Sequence, residues 1–217
     1  NFSDLSGVVP HGRVAVAVAL EQARRLIHEQ GVPQVVVAAA DSLLYWPSLS
    51  HYQQAGRLLA PDNSNGFMPG EGAGALLIGP ASGQAGEIVC TGIGFGVERA
   101  HIDSEAPLRA EGLAQAIRAA LADAGCEMHD LDYRITDVAG EQYYFKEAAL
   151  ALSRILRVRK EEFDIWHPAE CMGEAGAAIG CAMLAEACAA ARKGYARGPS
   201  ALLHLANDTG PRAALCV

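Results

Sequence analysis

Apolar positions recur along this chain at two spacings, and the switches between them predict its elements. Val14 to Gln30 repeats at helical spacing and stops at Gly31, with Pro33 closing the turn. Gln34 to Ala40 (QVVVAAA) is a continuous apolar run of strand length, the pattern of a buried strand. Residues 41–66 carry Pro47, Gly56 and Pro61 and read as an irregular, aromatic-bearing region. Strand-like runs follow at Gly74 to Ile78 and Gly86 to Gly96. Leu108, Leu113, Ile117 and Leu121 then recur at helical spacing as far as Ala124-Gly125. Asp130 to Val138 reads as a strand, and Tyr144, Ala148, Leu152, Ile155 and Leu156 mark one face of a helix. Gly173 to Arg192 is an alanine-rich helix built for close packing. Ala201 to Ala206 and Ala213 to Val217 close the chain as strands around a loop at 207–212, which predicts an antiparallel hairpin. Alternating helices and apolar strands indicate an α/β architecture. No period of 20–50 residues recurs, which argues against a solenoid. Pro80 to Gly86 is the best linker, dividing residues 1–80 from 81–217.

Composition narrows the class. The 217 residues, 51% hydrophobic and 19% charged, are enough for one large or two small packed cores and exclude a disordered chain. A net charge of −8 weighs against nucleic acid, which calls for clustered Lys and Arg. No apolar run has the length of a membrane span and no signal peptide opens the chain, so a cytoplasmic protein is expected. Cys90, Cys126, Cys171, Cys181, Cys188 and Cys216 form no C-x-x-C pair and read as reduced, buried small hydrophobes. Asn1 leads a short polar stretch without an initiator Met, the look of a fragment or a processed chain.

The densest local signal is Asn65 to Ile78, in which Gly70, Gly72 and Gly74 bracket Glu71 and an apolar strand follows. This is not the dinucleotide G-x-G-x-x-G, which runs from strand into helix. With Asp62 ahead of Gly66-Phe67, it resembles the D-x-x-x-G-F-x-x-G-E-G-A-G segment of the β-ketoacyl synthases. Three further stretches are similar to that family in its order: residues 11–40, Leu113 to Asp132 with its A-L-x-D-A-G exit, and Gly173-Glu-Ala-Gly-Ala-Ala178. The resemblance implies the thiolase fold, two similar α/β halves packed as α/β/α/β/α layers. This chain would hold the end of the first half (1–80) and all of the second (81–217). It also implies acyl-CoA or acyl carrier protein as partner, no cofactor or metal, and a homo- or hetero-oligomer or a preceding segment that completes the fold. Proteins cover unpaired sheet edges, so a further polypeptide is expected on this one.

The family's chemistry rests on a thiolate at a helix N-terminus and two histidines that stabilise an enolate. The nucleophile's place falls in residues 7–13, Gly-Val-Val-Pro-His-Gly-Arg, which holds His11 and Arg13 but no cysteine. By the same resemblance, Ala139 replaces the first histidine, Glu170 the second, and Ala206 to Arg212 a glycine-rich terminal loop. The expectation is a scaffold without Cys-His-His condensation, noncatalytic or repurposed in fatty-acid or polyketide type metabolism, as chain-length-factor subunits are. An alternative is an acyltransferase or thioester hydrolase using Cys171, or His11 with Glu170; another is a structural half.

Pocket candidates are thus His11, Ala139, Glu170, Cys171 and Asn207. Cys171 precedes a helix start, where the dipole favours a thiolate, but the neighbouring Glu170 opposes one, and a buried inert cysteine is the plainer reading. His11 in its Pro-His-Gly turn reads more simply as an exposed loop residue. His167, in Trp166-His167-Pro168, evokes the H-P pair of thiolases but reads as loop packing. Glu71 reads as a carboxylate bonded to turn amides. Gly92-Ile-Gly94-Phe-Gly96 reads as a strand, not a phosphate cradle. His101 and Asp103 lack the companions of a metal set. Tyr143, Tyr144 and Phe145 read as core packing or an altered pocket wall, and Arg157 to Glu162 as a solvated helix end.

Overall fold

The structure is a computed structural model that describes residues 4–84 and 86–217. Asn1 lies outside the described residues, as does Ala85 within the Pro80–Gly86 linker.

A 3-10 turn at Gly12–Val14 leads into helix α1 (Ala15–Gln30), which ends where Gly31 takes φ 67°. That left-handed exit needs no Cβ, which is why the helix stops at a glycine. Strand β1 (Val35–Ser42), helix α2 (Trp46–Gln54) and strand β2 (Glu71–Ile78) follow. Strands β1 and β2 pair antiparallel from Val35↔Ile78 to Ser42↔Glu71 as a two-stranded sheet. The second region runs β3 (Gly92–Val97), α3 (Glu111–Ala124), β4 (Tyr133–Thr136), α4 (Gln142–Ile155), β5 (Ile165–Trp166), α5 (Ala169–Met172), α6 (Ile179–Lys193), β6 (Ala201–Ala206) and β7 (Pro211–Cys216). Its five strands lie in the order β3-β7-β6-β4-β5. The expected closing hairpin is present: β6 and β7 are antiparallel, while β4 is parallel to both β5 and β6.

Side-chain alternation on this sheet builds two cores. Leu203, Leu205 and Leu215 face α1 and α6, meeting Val16, Leu20, Ile179 and Met183. Leu202, Ala214 and Cys216 face α3 and α4, meeting Leu113, Ile117, Leu121 and Ile155. The two-stranded sheet packs on the far side of α6: a Cβ at Gly74 would sit 2.6 Å from the Cys181 Cβ. The layers therefore run β1/β2, α1/α6, five-stranded sheet, α3/α4. The outward face of the small sheet carries Val36 paired with Leu77, Ala38 with Ala75 and Ala40 with Ala73, and all six are exposed. Val36 and Leu77 retain 66% and 65% of their surface. An apolar side chain of that size gains roughly 1.5–3 kcal/mol on full burial, so this face is built to be covered.

Several expectations need correction. The irregular region 41–66 contains α2, because Pro47 stands in its first turn, where a missing N–H is harmless. The strand foreseen over Gly86–Gly96 begins only at Gly92, whose ladder partner is Cys216. The Asp130–Val138 strand shortens to Tyr133–Thr136, and the last strand starts earlier, at Pro211. The helix read as Gly173–Arg192 is broken: α5 ends at Gly173 (φ 78°, ψ 174°), a 3-10 turn spans Gly176–Ala178, and α6 starts at Ile179. Glu71 is exposed and accepts from the Ser42 hydroxyl at 2.9 Å, so it holds no turn amide. The cysteines are not uniformly buried; Cys181 and Cys216 are, whereas Cys90 and Cys171 are exposed. The glycines of β3 do serve packing: a Cβ at Gly94 would fall 2.1 Å from the Ala116 carbonyl oxygen, so α3 lies directly on the strand.

Candidate functional site

Four loops converge at one end of the large sheet and each delivers a charged residue beside a turn residue. The Gly12 turn brings Arg13, the loop after β4 brings Glu141, the segment between α5 and α6 brings Glu174, and the β6–β7 loop brings Asn207 and Asp208. Arg57, from the segment after α2, completes the set. Together they line a cavity of about 370 Å³ walled on one side by Tyr52 and Phe67.

The two arginines are locked by carboxylates. Arg57 donates Nε and Nη2 to Glu141 at 2.7 and 2.8 Å, and Nη1 and Nη2 to Asp208 at 2.7 and 3.2 Å, two bidentate forks. Arg13 donates Nη1 to Glu174 at 3.1 Å and Nη2 to the Tyr144 hydroxyl at 2.6 Å and to Asp208. Its Nε lies 3.9 Å from Asp137. The Tyr144 hydroxyl in turn donates to Asp208. Backbone amides supply the remaining bonds: Gly176 N–H to Glu174 at 2.9 Å and Ala206 N–H to Asp137 at 2.8 Å.

Four carboxylates facing two guanidiniums divide the site electrostatically. Burial opposes ionisation of Asp208, but Arg13, Arg57 and Tyr144 overcome it and hold the carboxyl far below the usual range. Burial pushes Glu174 up to about 7, against the pull of Arg13 and with repulsion from Asp137 and Asp208. Asp137 also rises, through burial. Burial disfavours the Arg13 charge, yet Tyr144, Glu174, Asp137 and Asp208 carry the net shift upward. The Tyr144 hydroxyl is pushed up by burial and stays protonated.

Of the residues singled out from sequence, Asn207 lines the cavity. It clamps the Gly12 turn, donating to the His11 carbonyl at 3.1 Å and accepting from Arg13 N–H at 3.3 Å. The His11 side chain is exposed. Ala139 is half-buried and packs against the main core. Glu170 projects into solvent at 73% exposure, 3.6 Å from His167 Nδ1, and Cys171 is exposed beside it on α5. His167 packs edge-on against Phe145, as the loop-packing reading expected. The carboxylate that enters the site is thus Glu174, four residues beyond Glu170. The reason is the Gly173 break, which turns the chain back against Met68 and Gly70. Tyr143 and Tyr144 are not inert packing. Tyr143 donates to the Ala100 carbonyl at 2.7 Å and accepts from the fully buried Arg212, which also holds Glu147.

Sequence reasoning missed Arg57, Glu141, Glu174 and Asp208 as a group. Each follows a glycine or asparagine (Gly56, Gly140, Gly173 and Asn207), but so does the exposed Glu87 after Gly86, so that neighbour does not mark a charge bound for the site.

No cysteine among the described residues lines the cavity, and the Arg13 and Arg57 guanidiniums are both bonded to carboxylates, Arg13 also to Tyr144. Such a site is polar, and its two guanidinium charges are outnumbered by four carboxyl groups, which disfavours a developing oxyanion there. No group of three or more His, Cys, Asp or Glu among the described residues is arranged to hold a metal. No helix among them is long and apolar enough to cross a membrane.

Comparison with known proteins places the fold. No family model and no curated protein matches the sequence. Among solved structures, a type II polyketide synthase ketosynthase in complex with its acyl-carrier protein (AntDE:AntF) matches with a TM-score of 0.82 at 17% identity, covering 96% of this chain and 61% of that one. The ketosynthase ApeO with its chain length factor ApeC from Xenorhabdus doucetiae gives 0.78 at 18% identity, with 94% and 58% covered. A ketosynthase from module 6 of the bacillaene synthase of Bacillus subtilis 168 gives 0.80 at 18%, with 95% and 45% covered. The chain has the layered α/β fold of ketosynthases and spans about half the length of the structures it matches.

Proposed function

We propose that this ketosynthase-fold chain does not carry out Cys-His-His condensation and works as a noncatalytic or repurposed component of acyl-carrier or acyl-CoA metabolism. The observation that carries the reading is the ion-pair lattice of Arg13, Arg57, Glu141, Glu174 and Asp208. It lines the end of the sheet where the resemblance puts the condensing groups, and no thiol among the described residues enters it. A lattice in which both guanidiniums are matched by buried or half-buried carboxylates is a structural element first. The partners of its structural neighbours, an acyl-carrier protein and a chain length factor, support the class of partner.

The exposed outward strip of β1 and β2 supports a second part of the reading, that a further polypeptide covers this half of the fold in cis or in trans. Incubation with acyl-CoA and malonyl-CoA, followed by intact-mass and peptide analysis, tests the first part. No acyl adduct and no carbon dioxide release are expected. Acylated Cys171, or turnover that the Cys171→Ala variant abolishes, would instead make the chain an acyltransferase or thioester hydrolase. Native mass spectrometry addresses the second part: a stable monomer of this chain alone, with no associating polypeptide, would remove it.

A further inference from the structure

Opposite the charged site, at the other end of the large sheet, the chain leaves a second, open cavity of about 670 Å³. Its size follows from the residues that wall it. Ala187, Ala191 and Gly194 recur at helical spacing along α6 and its exit, so the helix face turned to the cavity carries nothing larger than a methyl group. Ala124 at the end of α3, with Ile88 and Pro199 from the segments before β3 and β6, continues the apolar wall. The volume falls within the roughly 300–1,000 Å³ of small-molecule sites.

Tyr133 supplies a polar group to this apolar space. It opens β4, is 3% exposed, and its ring lies against Trp166 with centroids 4.5 Å apart. It lines the cavity, and its hydroxyl has no hydrogen-bond partner among the described residues. Buried hydroxyls are nearly always paired, so an unpaired donor at a cavity wall calls for an acceptor from a bound molecule. Charge then narrows the class. Glu87 and Asp130, both exposed, line the cavity, and no Lys, Arg or His among the described residues does. The Ser82 and Gly83 amides hold Glu87 at 3.0 and 2.9 Å, and the Glu127 amide holds Asp130 at 2.8 Å. Two carboxylates without a cation repel a carboxylate or phosphate headgroup. Being exposed and already bonded to amides, they offer a cation little in return.

We propose that this cavity binds a small, uncharged apolar molecule with a hydrogen-bond acceptor, of the class of a fatty alcohol or ester. Its apolar part lies along the alanine face of α6, and its acceptor takes the Tyr133 hydroxyl proton in a hydrogen bond. The cavity shares no lining residue with the charged site, so the proposal stands or falls apart from the functional reading above.

The test titrates the full chain with Nile red, a neutral apolar dye with a carbonyl acceptor, and follows the dye's fluorescence. Saturable binding is expected, displaced by decanol and not by decanoate or decyltrimethylammonium at neutral pH. Ala191→Trp, at an exposed helix position whose new ring fills the cavity, should abolish binding while circular dichroism stays unchanged. Tyr133→Phe keeps the ring on Trp166 and should weaken binding about tenfold. Val36→Glu with Leu77→Lys, on the outward strip of β1 and β2, should leave it unchanged, which separates the cavity from that apolar face. No saturable binding, binding that survives Ala191→Trp or is lost with the strip variant, or unchanged affinity in Tyr133→Phe would each overturn the proposal. So would displacement by either charged amphiphile as readily as by decanol.

Discussion

Glu174 offers the sharpest check on the electrostatics of the charged site. Its carboxyl is 4% exposed, bonded to Arg13 and to the Gly176 amide, and raised by burial to about 7. In the unfolded chain the same group ionises near its ordinary value, about 4.3. Between those two values the folded protein binds the extra proton, so the stability this group contributes is full below the unfolded value. It is then lost as pH rises through 7. The loss across that window is roughly 4 kcal/mol, at 1.36 kcal/mol for each tenfold change in proton affinity, of which about 3 kcal/mol falls above pH 5. Asp208 has the opposite sign: its depressed carboxyl adds stability that is lost only as pH falls below the usual carboxylate range, outside this window. Asp137, Glu147 and Glu186, also raised by burial, contribute with the same sign as Glu174 and are present in the variant too.

The difference between wild type and Glu174→Gln therefore isolates one group. Glutamine mimics the protonated acid and does not titrate, so the variant's deficit should be largest at pH 5 and shrink by up to about 3 kcal/mol at pH 8. Urea denaturation followed by fluorescence of Trp46 and Trp166, at unit steps from pH 5 to 8, reads it directly. A deficit that stays constant over that range, or grows with pH, would falsify the burial argument.

Other perturbations probe separate parts of the fold. Asp208→Asn removes the acceptor shared by Arg13, Arg57 and Tyr144 and leaves buried guanidinium charge underpaired. A loss of about 3–5 kcal/mol is expected in urea unfolding, and a loss below 1 would mean the lattice is slack. Gly94→Ala puts a methyl group 2.1 Å from the Ala116 carbonyl oxygen and should cost about 3 kcal/mol or more, seen as a lower urea midpoint. A wild-type midpoint would show that α3 is not seated on β3. Val36→Glu with Leu77→Lys sits on the outward strip and should change the stability of the chain alone by no more than about 0.5 kcal/mol each. In size-exclusion assays it should abolish association with whatever polypeptide covers that face; unchanged association would relocate the interface.

Much of this protein was legible as pattern. Helix exits at Gly31 and Gly125, the apolar run of β6 and the β6–β7 hairpin follow from local rules of spacing and backbone geometry. Strand β1, expected as a buried strand, forms as a strand with only Val37 buried, because its sheet has two strands and one face is open. The glycines at 70, 72 and 74 likewise identified a fold, because close approach to the α5–α6 segment and α6 constrains the residue itself. The break at Gly173 was not legible in this way. A glycine inside an alanine-rich run is compatible with a continuous helix, and only the approach of Gly70 to the α5–α6 segment makes it a turn. The same limit hid the site. Arg13, Arg57, Glu174 and Asp208 lie up to 195 residues apart, and nothing local marks a surface charge from one that tertiary packing will bury. Periodicity reports which face of an element is apolar, whereas the pairing of charges depends on which loops meet. That is decided when the sheet stacks on α1 and α6, and so the chemistry of this chain belongs to its tertiary structure while its architecture was already written in its pattern.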